Sequence, residues 1–581
     1  MRHQRMVSVV GALSLGLTGL AATTNATAVP TASSGTSAST SGAAKNFVVL
    51  ADRGDSAKAL ATRLEAKGAT VTSVNDKVGM VTVTSKDANF AEEARSMKGV
   101  FGAADEGVVG RSPNAPAKRK DAVERPSLSG KAGQSGNAAA SKSKKKGADP
   151  LDDKLWGMDM IEAPAAQKIE SGDKRVKVGI IDTGVDGSHP DIAPNFDRKT
   201  SRNFTTDIPE IDGPCEVESC VDPSDVDEGG HGTHVAGTVA AAKNGIGVSG
   251  VAPDVSIANV RAGQDAGYFF VGPTVNALTY SADAGLDVVN MSFYVDPWAY
   301  YCTGGAPEDS PEEAAEQDMI IESMSRALRY AHSKDVTMVG ALGNAATDLS
   351  KPGTDESSPN YPEGNEHSRT IDNASCADLP VEGEHVIGVS SVGPSERKSY
   401  FSNYTTDLES DEIEISAPGG DSRDFPGTPN YRSPANLILS SVPENVVKAE
   451  GSVDEDGNVT EEAEGSVFKD CGKVRGKEVC GYYEYYQGTS MASPHAAGVA
   501  ALIVSRYGKQ HGKAGFGLDA ERTREIIMGS ARDKACPTPR TQVYPDLPDS
   551  YTAECVGDED FNGFYGDGII NALSAVGPKK R

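Results

Sequence analysis

The sequence predicts an α/β fold of three layers: a mostly parallel sheet with helices on both faces, preceded by a small α+β domain of ferredoxin-like order. Two observations carry the first part. Continuous Val/Ile-rich runs recur at VKVGIID (176–182), DVSIANVRA, LDVVNMSF, VTMVGALGN and HVIGVSSV, and helical stretches bound them, the pattern of strands buried on both sides. At 581 residues the chain also exceeds one ordinary domain, which leaves room for accessory segments. On a sheet of this kind ligands collect at the carboxyl ends of the strands.

The small domain is read at 45–110. FVVLA reads as a strand, DSAKALATRLEAKG as a helix, ATVTSV and VGMVTVTS as strands, NFAEEARSMKGV as a second helix and FGAADE as a last strand. That order is βαββαβ. Upstream, residues 1–28 carry Arg2 and Arg5, a short apolar stretch and the small-x-small site Ala26-Thr27-Ala28, so a signal peptide and a secreted, extracellular product are expected. Residues 29–44 are of low complexity. Residues 111–150 lose apolar periodicity and fill with Ala, Ser, Gly, Pro and the lysine runs KRK and SKSKKK, the composition of a disordered basic linker. Residues 151–581 are the main domain. The stretches 207–227, 300–318, 363–384 and 445–482 read as surface insertions.

The formal net charge is −27; residues 1–150 hold 21 Lys/Arg against 12 Asp/Glu, which leaves −36 for the remainder. An acidic body argues against nucleic acid as a partner, because phosphate binding needs a basic face. No later apolar run is long enough to span a bilayer, so no membrane anchor is expected, and we read the product as a monomer. The eight cysteines (215, 220, 302, 376, 471, 480, 536, 555) all follow residue 200, an even number in an exported chain, which favours disulfides. About 105 pairings are open; joining sequence neighbours gives Cys215 with Cys220, Cys302 with Cys376, Cys471 with Cys480 and Cys536 with Cys555.

Four polar residues stand at strand ends or helix starts. Asp182 closes VKVGIID, His231 opens the helical stretch of GGHGTHVAGTVAA, Asn344 closes VTMVGALGN, and Ser490 precedes the alanine-rich run of GTSMASPHAAGVAALI. Pro494 reads as a first-turn residue there, where a missing N–H costs little. Ser490 could be an N-cap, or a nucleophile facing backbone donors and a helix dipole. An HxxH pair, His231 and His234, suggests zinc, but Gly232 stands where a zinc peptidase motif has Glu. His189, His234 and His495 are read as structural.

Taken together, IIDTGVDGSHPDI, HGTHVAGTVAA, GVAP (250–253), NMS (290–292), GN (343–344) and GTSMASPHAAG resemble the subtilisin-like serine protease family over residues 151–575. The chain order Asp, His, Ser is that of the subtilisin type. The resemblance implies a subtilisin-like fold and a serine endopeptidase acting on protein or peptide substrates through an acyl-enzyme, with Ser490 as nucleophile, His231 as base, Asp182 as orienter and Asn344 as oxyanion donor. It implies that residues 45–110 are a propeptide that assists folding and blocks the cleft, so the product is a zymogen. It implies no cofactor for catalysis but a structural calcium, held by Asp152, Asp191, the side chain of Asn244 and the carbonyls of Ala242, Ile246 and Val248; Lys243 and Gly245 depart from the family's loop, and an ordinary surface loop is the alternative. Ser292, Phe293, Tyr294, Leu342 and Gly343 would line the substrate pocket, where Phe293-Tyr294-Val295 replaces the usual Leu-Gly-Gly. A tripeptidyl aminopeptidase of the same family and a non-catalytic binding module are the other readings; the second needs a broken triad, and none is broken.

Overall fold

The computed structural model describes residues 44–106, 123–126, 148–361, 363–410, 412–510 and 515–577. The expected signal peptide, nearly all of the 29–44 segment and most of the 111–150 linker lie outside those residues.

Residues 45–105 alternate strand and helix as read: β1 (Lys45–Ala51), α1 (Ala57–Ala66), β2 (Thr70–Asn75), β3 (Met80–Ser85), α2 (Phe90–Arg95) and β4 (Val100–Asp105). The four strands pair in the order β2-β3-β1-β4, all antiparallel. Alternation along β1 decides which face each side chain joins: Phe47, Val49 and Ala51 pack under α1 and α2, whereas Val48 and Leu50 face the main domain.

The main sheet has seven parallel strands: β5 (Lys177–Ile181), β6 (Arg202–Asn203), β7 (Ser256–Arg261), β8 (Val288–Met291), β9 (Thr337–Ala341), β10 (Val386–Val392) and β11 (Ile415–Pro418), ordered β11-β10-β9-β8-β5-β7-β6. On one face lie α3 (His231–Ala240) and α6 (Thr489–Tyr507), packed on Val178, Ile180, Val339 and Val389. On the other lie α4 (Val271–Asp283) and α5 (Pro311–His332), packed on Ile181, Val289, Met291 and Met338. Successive residues of one strand therefore feed both layers, which is why the strands read as unbroken apolar runs.

The sheet of the N-terminal unit docks on α4 and α5. Val48, Leu50, Val78, Met80 and Ala104 join the same core as Met319, Ile320 and Met324. Polar contacts frame it: Asn75 donates to Thr279 (2.8 Å) and Asn276 (2.9 Å), and Arg326 donates to the carbonyls of Ala51 (2.9 Å) and Val78 (2.8 Å). Glu106 accepts the N–H of Gly272 in the first turn of α4, where four backbone donors lack helical partners. Undocking would re-expose those Val, Leu and Met side chains, each worth about 1.5–3 kcal/mol when fully buried.

All four neighbour disulfides form: Cys215–Cys220, Cys302–Cys376, Cys471–Cys480 and Cys536–Cys555. The insertions are less superficial than their composition suggests. Cys302, Ala306, Ile371 and Cys376 form a small core of their own, and buried Arg369 pairs with Asp309 (2.9 Å) and Asp355 (3.1 Å). Residues 445–482 lead into β13 (Val467–Val474) and β14 (Lys477–Tyr486), which form an antiparallel sheet with β12 (Ile438–Val442). The far end of that hairpin is exposed, but Tyr482, Tyr483, Tyr485 and Tyr486 enter the core beside α3. No helix among the described residues is long and apolar enough to cross a membrane.

Candidate active site

Asp182 follows directly on β5, and its carbonyl accepts the N–H groups of Ala262 and Gly263, both at 3.1 Å, at the end of β7. Its carboxylate is fully buried; Oδ1 accepts the Thr183 N–H at 2.8 Å and meets His231 Nδ1 at 2.7 Å. His231 is the first residue of α3. A second buried carboxylate, absent from the sequence reading, fixes that helix start: Asp227 accepts from the backbone of Gly230 (2.8 Å) and Thr233 (2.9 Å) and from the hydroxyls of Thr233 (2.6 Å) and Thr183 (3.0 Å). Asp227 thus ties the Asp182 strand end to the His231 helix.

Ser490 is the second residue of α6, and Gly488 occupies the cap position, so the serine is not the helix cap. Pro494 is the sixth residue rather than a first-turn one. Its missing N–H would have bonded the Ser490 carbonyl, one helical turn back. Ser292 Oγ donates to that carbonyl instead, at 3.0 Å, and also accepts from Asn290 Nδ2 at 2.8 Å. The Asn344 amide is orientated by Thr489, whose N–H and hydroxyl both donate to Asn344 Oδ1 at 2.9 Å. With its oxygen engaged, Nδ2 is the atom left to face the cleft. Thr489, a part of the GTS motif, is therefore a positioning residue that sequence reasoning passed over.

The cleft is a cavity of about 540 Å³ lined by His231, Ser490, Asn344 and, among the expected substrate residues, Ser292, Phe293, Tyr294 and Gly343. Phe293 stacks on Phe269 at 4.1 Å, which turns its ring into the wall. Leu342 does not join them. It is fully buried, packed with Leu349, Val381 and Ile413. The pleat explains this: Ala341 lines the cleft, so the next side chain points to the other face.

Three residues of the basic segment, Val123, Glu124 and Arg125, line this cleft. Gln487 holds them, its N–H donating to the Glu124 carbonyl at 3.1 Å and its Nε2 to the Val123 carbonyl at 2.7 Å. Arg125 pairs with Glu450 and stacks over Tyr486. The Glu124 carboxylate stands 3.3 Å from His231 Nε2, and Ser490 Oγ donates to the Ser292 carbonyl, also at 3.3 Å. Burial works against a charged imidazole, but the charges of Asp182 and then Glu124 outweigh it and hold His231 well above its ordinary value.

The other motif histidines are buried and bonded to backbone carbonyls. His234 Nε2 meets those of Ile438 and Glu484 at 3.1 Å, His189 Nε2 that of Tyr482 at 3.2 Å, and His495 Nδ1 that of Met491 at 2.8 Å. Burial lowers them to about 3, 4 and 4 respectively.

The expected calcium residues converge on loop 242–249. Asp191 accepts from Asn244 Nδ2 (3.0 Å), the Val248 N–H (3.1 Å) and the Tyr483 hydroxyl (2.8 Å), and Asp152 accepts the Ser249 N–H (2.8 Å). Asp149, not anticipated, joins them by accepting the Gly245 N–H at 2.7 Å. Oxygen donors of this kind suit a hard cation. One detail departs from the expected ligand set: Asn244 turns its NH2 to Asp191, while its Oδ1 accepts the Ile246 N–H at 2.9 Å.

A family model described as the subtilase family matches residues 173–568. Subtilisin DY of Bacillus licheniformis is 26% identical over 421 residues, covering 72% of this chain and 98% of that protein. Fervidolysin of Fervidobacterium pennivorans is 28% identical over 366 residues, 62% of this chain and 39% of that one. Among solved structures, the epidermin leader peptide processing serine protease of Staphylococcus aureus aligns over 93% of this chain and 99% of its own, with a TM-score of 0.57 and 18% identity. The fervidolysin structure aligns over 92% of this chain and 61% of its own, with a TM-score of 0.51 and 21% identity. At those identities the structural likeness speaks for the fold.

Proposed function

This chain belongs to the subtilase family of serine peptidases, and from that premise we propose that it is a secreted endopeptidase made as a zymogen. Ser490 Oγ attacks the scissile carbonyl while His231 Nε2 takes its proton and later delivers it to the leaving amine. Asp182 holds the imidazole by Nδ1 and stabilises the imidazolium. Asn344 Nδ2 and the Ser490 N–H donate to the oxyanion, a contribution typically of about 3 kcal/mol per donor. The observation that carries this reading is the 2.7 Å contact between buried Asp182 and His231, in one cleft with the helix-start serine.

Zymogen character is supported by Glu124. An imidazolium held at Nε2 by a carboxylate has no lone pair with which to accept the serine proton, so His231 cannot act as base while Glu124 stays. Cleavage within a chain, rather than removal of terminal residues, is supported by the same segment. Val123, Glu124 and Arg125 are internal to the chain, so the polypeptide held in the cleft presents no free terminus there. The docked 45–105 unit is the inhibitory propeptide in this reading, with α4 and α5 as its platform.

A calcium ion at the 242–249 loop would be held by Asp191, with Asp149 or Asp152 and loop carbonyls, once the Asn244 amide turns its oxygen inward. It would stiffen the loop and takes no part in the chemistry.

Expression of the wild type beside Ser490→Ala tests the function. We expect the variant to stay at precursor length and to leave casein intact. A variant that matures and digests casein like the wild type would end the proposal.

A further inference from the structure

One acidic group of the cleft, unused in catalysis, is buried. Asp378 lines the same cavity as Ser490, yet it is only 8% exposed, and its Oδ1 is buried with no hydrogen-bond partner among the described residues. Its place is fixed by its neighbours. The carbonyl of Leu379, the next residue, accepts the Val295 N–H at 2.7 Å, which seats Asp378 beside the Phe293–Val295 edge. On the other wall, Asp378 Oδ2 comes within 3.5 Å of the point that a Cβ on Gly343 would occupy. The carboxyl therefore stands beside the space between Ser292–Tyr294 and Ala341–Asn344, which in the peptidase reading takes the side chain preceding the scissile bond.

Its neighbours among the described residues are acidic. Glu382 accepts the Asp378 N–H, and burial, with the charge of Glu412 added, pushes the Glu382 carboxyl up to about 8. Burial, and next the charge of Glu382, hold the Asp378 carboxyl well above its ordinary range. Glu228 and Asp265 line the same cavity. Among the described residues lining it, Arg125 is the one Lys or Arg, and it is paired with Glu450. A buried carboxyl without a partner is costly, and one that opens on a substrate cleft is relieved by a cation arriving with the substrate.

We propose that Asp378 is the specificity residue of the primary pocket and selects substrates with arginine or lysine immediately before the scissile bond. The guanidinium or ammonium group enters that space and donates to Asp378, a bidentate pair in the arginine case. The carboxyl gives up its proton to solvent as the cation arrives. This deepens the peptidase reading and rests on it.

The test uses the full chain in the form that a fluorophosphonate labels, with peptides differing only in the residue before the cleaved bond: Arg, Lys, Phe, Leu or Glu. For the wild type we expect kcat/KM for Arg or Lys to exceed that for Phe or Leu by about 100-fold, in line with loss of a buried charge pair. Asp378→Asn should remove that margin, the Arg and Lys values of kcat/KM falling to the level of those for Phe and Leu. Benzamidine, a mimic of the arginine side chain, should compete in the wild type and not in the variant. A wild type that prefers Phe or Leu overturns the inference, as does a folded Asp378→Asn that keeps the basic preference. Should that variant not fold, the wild-type profile decides alone. Failure of the fluorophosphonate to label any form refutes the peptidase reading itself, which is a separate outcome.

Discussion

Replacing Glu124 by Gln keeps the shape of the strap and removes its charge. At the 3.3 Å between Glu124 and His231, two unit charges in an effective dielectric of 20 attract by about 5 kcal/mol. Both groups are largely buried, so desolvation offsets much of this, and a hydrogen bond to a charged group contributes a net of about 1.5–3 kcal/mol. The lower figure governs, because the alternative state places both groups in water. Converted at 1.4 kcal/mol per decade, Glu124→Gln should speed exposure of the catalytic imidazole by roughly 10- to 100-fold. The assay is the rate of fluorophosphonate labelling, scored on the gel band that still carries the N-terminal unit. The pH dependence follows from the raised His231 value: the latch is fully present below the ordinary histidine value of about 6.5 and is lost as pH rises through the raised folded value. Wild-type labelling should therefore climb on the alkaline side, and in Glu124→Gln the climb should move to lower pH. Equal rates and superimposable pH profiles for the two proteins would refute the latch.

Three further outcomes are expected. Asn344→Ala removes the Nδ2 donor and should lower kcat about 100- to 1000-fold with little change in KM, read by steady-state kinetics; a change confined to KM would contradict its role. Replacing Cys302 and Cys376 by Ala opens a closure across 74 residues, for which chain entropy gives about 4 kcal/mol, so the melting temperature should drop by several degrees. Chelation should lower the melting temperature of the wild type, and Asp191→Asn should abolish that response; a chelator that leaves the melting curve unchanged argues against calcium at the 242–249 loop.

What the sequence made legible follows the range of each interaction. Asp182, His231, Asn344 and Ser490 sit in short local patterns at strand ends and helix starts, and the fold brings them to one cleft edge. β5 and β7 to β10 were readable because alternate residues feed two apolar layers. β11 was not, since its four residues follow the acidic run Leu408 to Glu414, and β6 has only two residues. Asp378 lies in a stretch whose Asp, Glu and Cys content reads as surface, whereas the Val295 N–H to Leu379 carbonyl bond and the Cys302–Cys376 disulfide hold that stretch inward. Glu124 stands in a lysine- and serine-rich segment without periodicity; its place depends on Gln487, more than 350 residues away, and no local pattern encodes such a contact. Leu342, which the family resemblance assigns to the pocket, packs on the opposite face because the pleat turns Ala341 to the cleft.

The claim that Asp182, His231 and Ser490 act as one unit is tested most directly by mapping the fluorophosphonate adduct by peptide mass spectrometry in wild type, His231→Ala and Asp182→Asn. The account predicts a single adduct on Ser490 in the wild type and labelling slowed by orders of magnitude in both variants. An adduct on another residue, or variants labelled on Ser490 as fast as the wild type, would contradict it.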